Sequence, residues 1–411
     1  MLNNKEIQIS LSLNFLVLAN YFLYYFNAFN TNIIKIFLIL LIFLILIFYI
    51  FKPINNNLIS KIFIFFILIF SLGTPLNDWD GKYIWMFHAK RIFYEKNLFI
   101  QLDNYLPYTH NDYPALVPSL SASIASFFNL WNNQIPKLSS ALMLCPTIIF
   151  LNSVIKDNVV KVIFFTLFIW VVEKTFLSGS VDDILASYTL CSFVITYLLF
   201  FNEKYAKKKI IFFLAFTFIT ITTLIKNEGT VIIITLFTTS FILKKIVQKK
   251  NINLKIYLTY LFSLLPIIFW KIECFKSGIS SDIININFIN NLQSRIEDLR
   301  NFWNIFNYMI LNKSILLPLL LFFCTNCYIV KFISKKNYFF IFKSKSLQIE
   351  YLLFCSIFTF IYLLILFFVY LSTPNDLVWH LSTSAYRVVM PIGLILIFYF
   401  ITIIDRINLS R

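Results

Sequence analysis

Residues 33–51 read IIKIFLILLIFLILIFYIF, a run in which Lys35 is the only charged side chain. An α-helix rises roughly 1.5 Å per residue, so a run of roughly 20 residues can cross the hydrocarbon core of a bilayer. Runs of similar length and composition recur along the whole chain. The sequence therefore predicts an all-α polytopic membrane protein.

The overall composition agrees with this fold class. Of the 411 residues, 59% are hydrophobic and 13% are charged, whereas soluble domains carry roughly 25% charged residues. The net charge of +16 would suit a nucleic-acid partner, but the basic residues cluster in short loops between apolar runs. Such loops are typical of the cytoplasmic side of a membrane protein. We therefore predict membrane lipids, and no nucleic acid, as partners.

The apolar runs that are candidate spans follow one another without a linker or a soluble domain. They cover 9–28, 33–51, 59–75, 114–131, 137–155, 159–177, 183–201, 209–225, 229–246, 255–272, 309–333, 349–371 and 385–404. We expect a single integral membrane domain over 1–411, in which 1–58 forms two additional N-terminal spans before a core at 59–404.

Lysine clusters indicate the orientation. The clusters at 204–209, 244–255 and 331–345 lie an even number of spans apart, so all can be cytoplasmic. Loop 76–113 then lies outside together with the start of run 183–201 only if one run between them does not cross. Run 114–131, which is rich in serine, is the best candidate, and we interpret it as a re-entrant or interfacial helix. The prediction is about 12 crossings with both chain ends in the cytoplasm.

Acidic residues divide unevenly between the two sides. Of the 19 acidic residues, those on the cytoplasmic side are Glu6, Asp157, Glu203, Glu350 and Asp405. Acidic residues contribute little to the topology rule, so their asymmetry is partly independent of it. Two interpretations stay open: solvating charge on the outer loops, or an active site that faces the exterior.

The first outer loop, 76–113, opens with Asp78-Trp79-Asp80 directly after a span. A carboxylate at the membrane boundary is partly desolvated, which raises its pKa toward that of a useful general base. Asp78 and Asp80 are therefore the candidate catalytic residues. Either one could instead cap the helix that follows.

Helical spacing over 82–95 predicts an amphipathic helix in the membrane interface. It places Trp85 and His88 on one face, and Lys90 and Arg91 on another. The first outer loop would thus lie along the membrane surface.

The same loop ends with His110 and Asp112, followed by Tyr113-Pro114. The imidazole and the carboxylate could bind a divalent ion, a phosphate or a sugar hydroxyl, and Asp112 could otherwise cap the next helix. A divalent cation is thus a possible cofactor. No phosphate-binding glycine loop or ATP-binding motif predicts another cofactor.

Three later segments carry charge at the ends of apolar runs. Asp182 begins one run, Lys226 and Glu228 lie between two others, and His380 and Arg387 precede the last. Charged groups this close to hydrocarbon are costly and are usually functional or paired. Helix capping by Asp182, a local Lys226–Glu228 ion pair and snorkelling of Arg387 to lipid headgroups are the structural alternatives.

In their order and spacing these segments resemble the GT-C superfamily of membrane glycosyltransferases. The similarity is to the bacterial branch related to protein mannosyltransferases and to the aminoarabinose transferase of lipid A, and it covers most of the chain, with 59–404 as the GT-C-like core. The residues that carry it are Asp78-Trp79-Asp80, Trp85, Lys90, His110-Asn111-Asp112-Tyr113-Pro114, Gly179-Ser180-Val181-Asp182 followed by Leu185-Ala186, Lys226-Asn227-Glu228-Gly229, and Trp379-His380 with Arg387.

The resemblance implies a reaction and a location. A polyprenyl-phosphate-linked sugar is the donor, and a lipid or glycan of the cell envelope is the acceptor. A carboxylate of the first outer loop acts as general base, and transfer inverts the anomeric centre. The enzyme lies in the bacterial inner membrane, with its active site facing the periplasm or the exterior.

The resemblance also implies roles for individual residues. Asp80 is the expected base, and Asp78 is the second candidate. Asp112 and Asp182 would orient the acceptor or the base, whereas Arg387 and Lys226 would meet the phosphate. The predicted substrate-binding residues are His110, Asp112, Tyr113, Asp182, Lys226, Glu228, His380 and Arg387.

Two other functions stay open. A flippase or transporter of an envelope lipid or polysaccharide would be expected to show an internal repeat and broken helices at the membrane midplane. An O-antigen polymerase or ligase would be expected to depend on arginine and histidine in a large late outer loop. Loop 273–307 contains Arg295 and Arg300 but no histidine.

Overall fold

The computed structural model describes residues 3–26, 32–52, 57–279, 288–334 and 345–410. Within these ranges the regular structure is helical throughout. The α-helices are α1 (Asn4–Tyr25), α2 (Asn32–Phe51), α3 (Leu58–Gly73), α4 (Met86–Glu95), α5 (Leu116–Phe127), α6 (Leu138–Val154), α7 (Asn158–Val172), α8 (Asp182–Phe201), α9 (Lys209–Ile225), α10 (Asn227–Phe241), α11 (Leu254–Lys276), α12 (Phe288–Ile296), α13 (Leu299–Ile310), α14 (Lys313–Ser334), α15 (Lys345–Ser372), α16 (Leu377–Val388) and α17 (Met390–Ser410).

Many of these helices are long and apolar enough to cross a membrane. Among the described residues 7 helices meet this condition, or up to 8 if α13 and α14, which are bent by 74° at their junction, form one span. The shorter apolar helices are α3, α5, α6, α7 and α9. The predicted class of helical membrane protein is confirmed, whereas the count of about 12 crossings stays a prediction. Lys335, Lys336 and Lys343 of the third lysine cluster lie outside the described residues.

Helix α8 lies at the centre of the bundle. It packs against α6, α9, α10, α15 and α17, and nearly all of its residues are buried. A helix that is apolar on every side is typical of such a position. Its first two residues, Asp182 and Asp183, are therefore buried carboxylates, which are tolerable only when they are paired or hydrogen-bonded.

The bundle has two distinct ends. Asp182 and the junction of α9 with α10 lie together at one end, which we call the site end. The chain leaves α8 and re-enters α9 through the lysine-rich segment 204–209, and it leaves α10 through 244–250. Because α8, α9 and α10 each run from one end to the other, these segments lie at the opposite end, which we call the lysine end.

Helix α5 packs at the site end. It has 12 residues, so at roughly 1.5 Å per residue it is about 18 Å long, too short for a hydrocarbon core of roughly 30 Å. Ser123 donates to Asn20, near the end of α1, at 2.6 Å. The hydroxyl groups of Ser121 and Ser139, the latter at the start of α6, lie 2.7 Å apart. A buried, short helix of this kind agrees with the predicted re-entrant or interfacial helix, whose depth in a membrane stays a prediction.

Loop 76–113 also packs at the site end. It begins with a π-helical turn over Gly81–Trp85 and continues into α4. Trp79 and Tyr83 are about half exposed, with relative accessibilities of 49% each, as suits aromatic side chains at a membrane interface. Trp85, by contrast, is fully buried. The predicted amphipathic helix is present, and its apolar face packs on α5.

The inner face of α4 carries two polar side chains that form hydrogen bonds with the part of loop 76–113 that follows the helix. His88 Nε2 donates to the carbonyl oxygen of Thr109 at 2.9 Å. Arg91 donates to the carbonyl oxygens of Leu98 and Ile100 at 2.6 and 2.7 Å. The prediction that Arg91 lies on a different face from His88 was wrong. Residues three apart lie on the same side of a helix, and backbone carbonyls accept from both terminal nitrogens of the buried guanidinium.

Candidate functional site

Five charged side chains from four parts of the chain form a continuous series of ion pairs at the site end. Arg387 Nη1 contacts Asp80 Oδ2 directly and lies 3.6 Å from Asp182 Oδ2. Lys226 Nζ lies 3.1 Å from Asp182 Oδ1 and 3.1 Å from Glu228 Oε1. Carboxylates and cations thus alternate in the order Asp80, Arg387, Asp182, Lys226, Glu228, which we call the ion-pair chain.

The ion-pair chain is largely removed from solvent. Its side-chain exposures run from 4% for Asp182 and 6% for Lys226 to 20% for Glu228. Charges in such surroundings need partners, because the cost of desolvation is several kcal/mol per ion. The alternation provides partners, but three carboxylates face two cations. The ion-pair chain therefore carries an excess of negative charge, which favours groups that donate hydrogen bonds.

Asp78 and Asp80 are held by the turn that follows them. Asp78 Oδ2 accepts from the backbone N–H of Gly81 at 2.9 Å, so the capping alternative describes Asp78. Asp80 makes no cap contact and is directed instead to Arg387. Burial raises the pKa of the Asp78 carboxyl, and the charges of Asp80 and Asp182 raise it further.

A close contact between two loops brings the Asp78 turn to the start of α8. The backbone of Gly179 has φ +98°, a conformation that favours glycine. A Cβ at Gly179 would lie 2.3 Å from Leu76 Cδ1, and a Cβ at Gly81 would lie 3.1 Å from the Gly179 carbonyl carbon. Only glycine allows the two backbones to approach this closely, and Asp80 and Asp182 thereby reach the same arginine.

The two carboxylates that begin α8 have different partners. Asp183 accepts from the backbone N–H groups of Leu177 and Ile184 at 3.1 and 2.9 Å. Its role is to satisfy backbone donors at the helix start. Asp182 instead pairs with Lys226 and Arg387. Neither carboxylate is the N-cap of α8, because Val181 holds that position and makes no side-chain cap bond.

Lys226 lies in a one-residue break between α9 and α10. Its backbone is extended, with φ −158° and ψ 157°, and α10 resumes at the next residue. The two helices touch at the break, because a Cβ at Gly229 would lie 1.9 Å from the Thr222 carbonyl oxygen. The break directs Lys226 toward Asp182 as well as toward Glu228, so the predicted local ion pair is one part of a longer series.

Asp112 fastens the end of loop 76–113 to two transmembrane helices. Its Oδ2 accepts from Asn227 Nδ2 at 2.8 Å and from Lys271 Nζ at 3.1 Å. Its carbonyl oxygen accepts from Trp270 Nε1 at 3.0 Å. The predicted alternative, capping of α5, is not observed, because Ala115 occupies that position without a side-chain cap.

Tyr113 lies in a stack of three rings beside the ion-pair chain. The ring centroids of His110 and Tyr113 are 4.7 Å apart, and those of Trp85 and Tyr113 are 5.6 Å apart. Lys226 Nζ lies 5.6 Å from the Tyr113 ring centroid, within the range of a cation–π interaction. The stack forms an aromatic wall of the site.

The geometry around His110 and Asp112 does not form a metal centre on its own. Among the described residues no group of three His, Cys, Asp or Glu side chains is arranged to hold a metal ion. Asp112 already bonds Lys271 and Asn227. The divalent cation stays a prediction.

His380 and Arg387 both lie on α16 but differ in their surroundings. Arg387 is 14% exposed and pairs with Asp80 and Asp182, so it does not snorkel to lipid. His380 packs edge-on against Tyr370, with ring centroids 5.0 Å apart. His380 thus lies beside the ion-pair chain rather than in it.

Several buried polar atoms around the ion-pair chain have no hydrogen-bond partner among the described residues. They are Trp85 Nε1, Asn227 Oδ1, Glu228 Oε2, Tyr362 OH, His380 Nδ1 and Arg387 Nε. Leaving such a group unpaired costs roughly 1–3 kcal/mol. The set mixes donors with acceptors, which matches the hydroxyl groups of a sugar, since each hydroxyl both donates and accepts.

Two residues of this site were not predicted from the sequence. Lys271 lies at the end of a candidate span, and a lysine inside an apolar run is a signal that could have identified it. Tyr362 of α15 is fully buried and interacts electrostatically with Glu228 and Lys226. A tyrosine within an apolar helix carries no such signal.

Comparison of the chain with protein-family models, with curated proteins and with solved structures finds no match in any of the three.

Proposed function

We propose that this protein is a glycosyltransferase that moves a sugar from a polyprenyl-phosphate donor to a lipid or glycan acceptor of the cell envelope. The observation that carries the proposal is the ion-pair chain, because it combines candidate bases, candidate phosphate ligands and unpaired hydrogen-bonding atoms in one buried site.

The distribution of lysine supports a site on the outer face of a bacterial inner membrane. The ion-pair chain lies at one end of the bundle, and segments 204–209 and 244–250 lie at the other. Loops rich in lysine stay in the cytoplasm. In this arrangement about 12 helices cross, α5 is re-entrant, and the donor reaches the site from the outer leaflet.

The proposed reaction starts from the Asp80–Arg387 ion pair. The donor phosphate takes the place of Asp80 on Arg387, since a guanidinium binds phosphate oxygens in a planar fork. Asp80 is then free to accept the proton of the acceptor hydroxyl or amine. The acceptor oxygen or nitrogen forms a bond to the anomeric carbon as the carbon–oxygen bond to phosphate breaks, with inversion. The electron pair leaves on the lipid phosphate, where Arg387 and Lys226 stabilise the charge.

The other residues would position the reactants. Asp182 keeps Arg387 and Lys226 in place, and Asp112 holds loop 76–113 against α11. Asp78 shapes the turn that carries Asp80. Sugar hydroxyl groups would bond the unpaired atoms of Glu228 and Tyr362.

A flippase or transporter is the alternative from another class. The break at Lys226 favours it in part, because transporters bind substrates at broken helices. Those breaks lie near the membrane midplane, whereas this one lies at the site end beside Asp182. The polymerase or ligase alternative is weaker, because Arg295 already donates to the carbonyl oxygens of Thr373 and Asn375.

The test is turnover by the purified protein in proteoliposomes loaded with radiolabelled polyprenyl-phosphate sugars and an extract of envelope lipids and glycans. We expect sugar to move from donor to acceptor only in vesicles that contain the protein. A fluorescent polyprenyl phosphate in the same vesicles reports lipid movement between leaflets. Protein-dependent lipid movement without sugar transfer would overturn the proposal in favour of the flippase.

A further inference from the structure

A second polar feature of the site end includes Tyr386, the neighbour of Arg387 on α16. A pocket of about 150 Å³ opens between the end of α7 and the bend that joins α13 to α14. Its lining includes Glu173, Lys174, Lys313 and Tyr386. A water occupies roughly 30 Å³ of liquid volume, so the pocket has room for a phosphate group.

Tyr386 is the wall that this pocket shares with the ion-pair chain. It precedes Arg387 on α16 and lines the pocket. On its other side, Lys174 Nζ lies 4.9 Å from the centre of the Tyr386 ring. A group bound in the pocket would therefore lie beside Tyr386, the residue that precedes Arg387.

The charges of the two regions differ in sign. The ion-pair chain has three carboxylates and two cations, and Asp78 lies nearby. A phosphate that replaces Asp80 on Arg387 meets that negative excess, so a further cation near the phosphate would favour its binding. The pocket has two lysines and one carboxylate, and Lys313 pairs with Glu173. Lys174 has no ion pair or hydrogen bond among the described residues and is the available cation.

We propose that this pocket binds the phosphate of the lipid-linked donor, with Lys174 as its direct cationic ligand beside Arg387. The inference rests on the proposed function, since the donor is the source of the phosphate. The same chemistry would also recognise the phosphate of an ordinary anionic phospholipid, so the experiment has to separate the two.

The experiment measures binding of sugar-free polyprenyl phosphate to the full-length protein in nanodiscs of zwitterionic lipid. A hydrogen bond to a charged group contributes about 1.5–3 kcal/mol, so Lys174→Gln should weaken Kd about 10- to 100-fold. Lys174→Arg should keep the affinity near the wild-type value. Lys207→Gln, which removes an exposed lysine at the lysine end, is the matched control and should change nothing.

Two outcomes would overturn the pocket proposal. One is unchanged affinity in Lys174→Gln. The other is equal competition by phosphatidylglycerol, which would make the pocket a general anionic-lipid site. Failure of the proposed function is distinguishable from both. If sugar transfer is absent from the wild type while polyprenyl phosphate binding depends on Lys174, the pocket stands and the transferase does not.

Discussion

At the scale of single residues, the alternation of charge explains how five charged side chains are buried together. Each cation of the ion-pair chain touches two carboxylates, so neither Arg387 nor Lys226 is unpaired inside the protein. Removing one member of a buried pair costs roughly 3–5 kcal/mol. In the proposed exchange Arg387 has an anionic partner both before and after the donor binds, whereas Asp80 loses its cation, which favours uptake of a proton by Asp80.

His88 makes the stability of the protein depend on pH. Burial lowers the pKa of this imidazole to about 3, and nearby Arg91 lowers it further. In the unfolded chain the pKa is roughly 6.5, so the unfolded state binds the proton more tightly. The contribution of neutral His88 to the free energy of unfolding is complete above pH 6.5 and is lost as the pH falls toward 3.

Because of His88, the free energy of unfolding should fall by about 1.4 kcal/mol per pH unit below pH 6.5. Thermal unfolding of the purified protein between pH 7.5 and 4.5 measures it. We expect Tm of the wild type to fall more steeply than Tm of His88→Gln, which keeps a hydrogen-bond donor for Thr109. Parallel curves for the two proteins would show that His88 is not the titrating group.

Single residues of the site differed in how far the sequence could predict them. Asp80, Lys226 and Arg387 were predictable, because a charged side chain at the end of an apolar run costs free energy and is usually paired or functional. Their pairing was not, since Arg387 Nη1 contacts a carboxylate 307 positions earlier in the chain. The sequence did not predict that Tyr362 belongs to the site, because Glu228 and Lys226, with which it interacts, are distant in sequence.

At the scale of elements, short interruptions of helices build the site. The turn at Gly81–Trp85, the start of α8 and the break between α9 and α10 each deliver charged side chains to the same place. Hydropathy predicted that helices lie in the apolar runs, because that pattern depends on composition alone. It did not predict the one-residue break at Lys226, which depends on the contact between Gly229 and Thr222.

Gly229 tests the importance of that break. A methyl group there would lie 1.9 Å from the Thr222 carbonyl oxygen, so Gly229→Ala must separate α9 from α10. Overpacking of this kind costs about 1–3 kcal/mol, and it would displace Lys226 and Glu228. We expect a lower Tm together with reduced sugar transfer.

Gly73 provides the matched control for Gly229. A Cβ at Gly73, at the end of α3, has no neighbour within 4 Å, so Gly73→Ala should leave both Tm and transfer near the wild-type values. Equal Tm and transfer for Gly229→Ala and Gly73→Ala would contradict the account of the break.

At the scale of the whole molecule, the two ends of the bundle differ in charge and in burial. The site end gathers buried carboxylates and aromatic rings, and the lysine end gathers exposed cations. The sequence predicted this polarity, because the positive-inside pattern is a property of loops. It could not predict which loop residues meet across the bundle, since that depends on how α8, α9 and α17 pack.

Membrane orientation follows from this polarity and can be measured with an impermeant maleimide. In a background with the exposed Cys324 and Cys327 changed to serine, Asp103→Cys reports the site end and Lys207→Cys reports the lysine end. We expect Asp103→Cys to react on intact spheroplasts and Lys207→Cys to react only after lysis. The reverse pattern would place the site in the cytoplasm and contradict an outer-face enzyme.

If Asp80 is the general base for sugar transfer, the rate of that transfer should depend on its carboxylate, and Asp80→Asn tests this. Amide replacement keeps the shape of the side chain but cannot accept the proton, so turnover should fall about 10²- to 10⁴-fold while donor binding persists. Asp103→Asn, an exposed acid of the same loop, should transfer sugar at the wild-type rate. Wild-type turnover by Asp80→Asn would contradict the account.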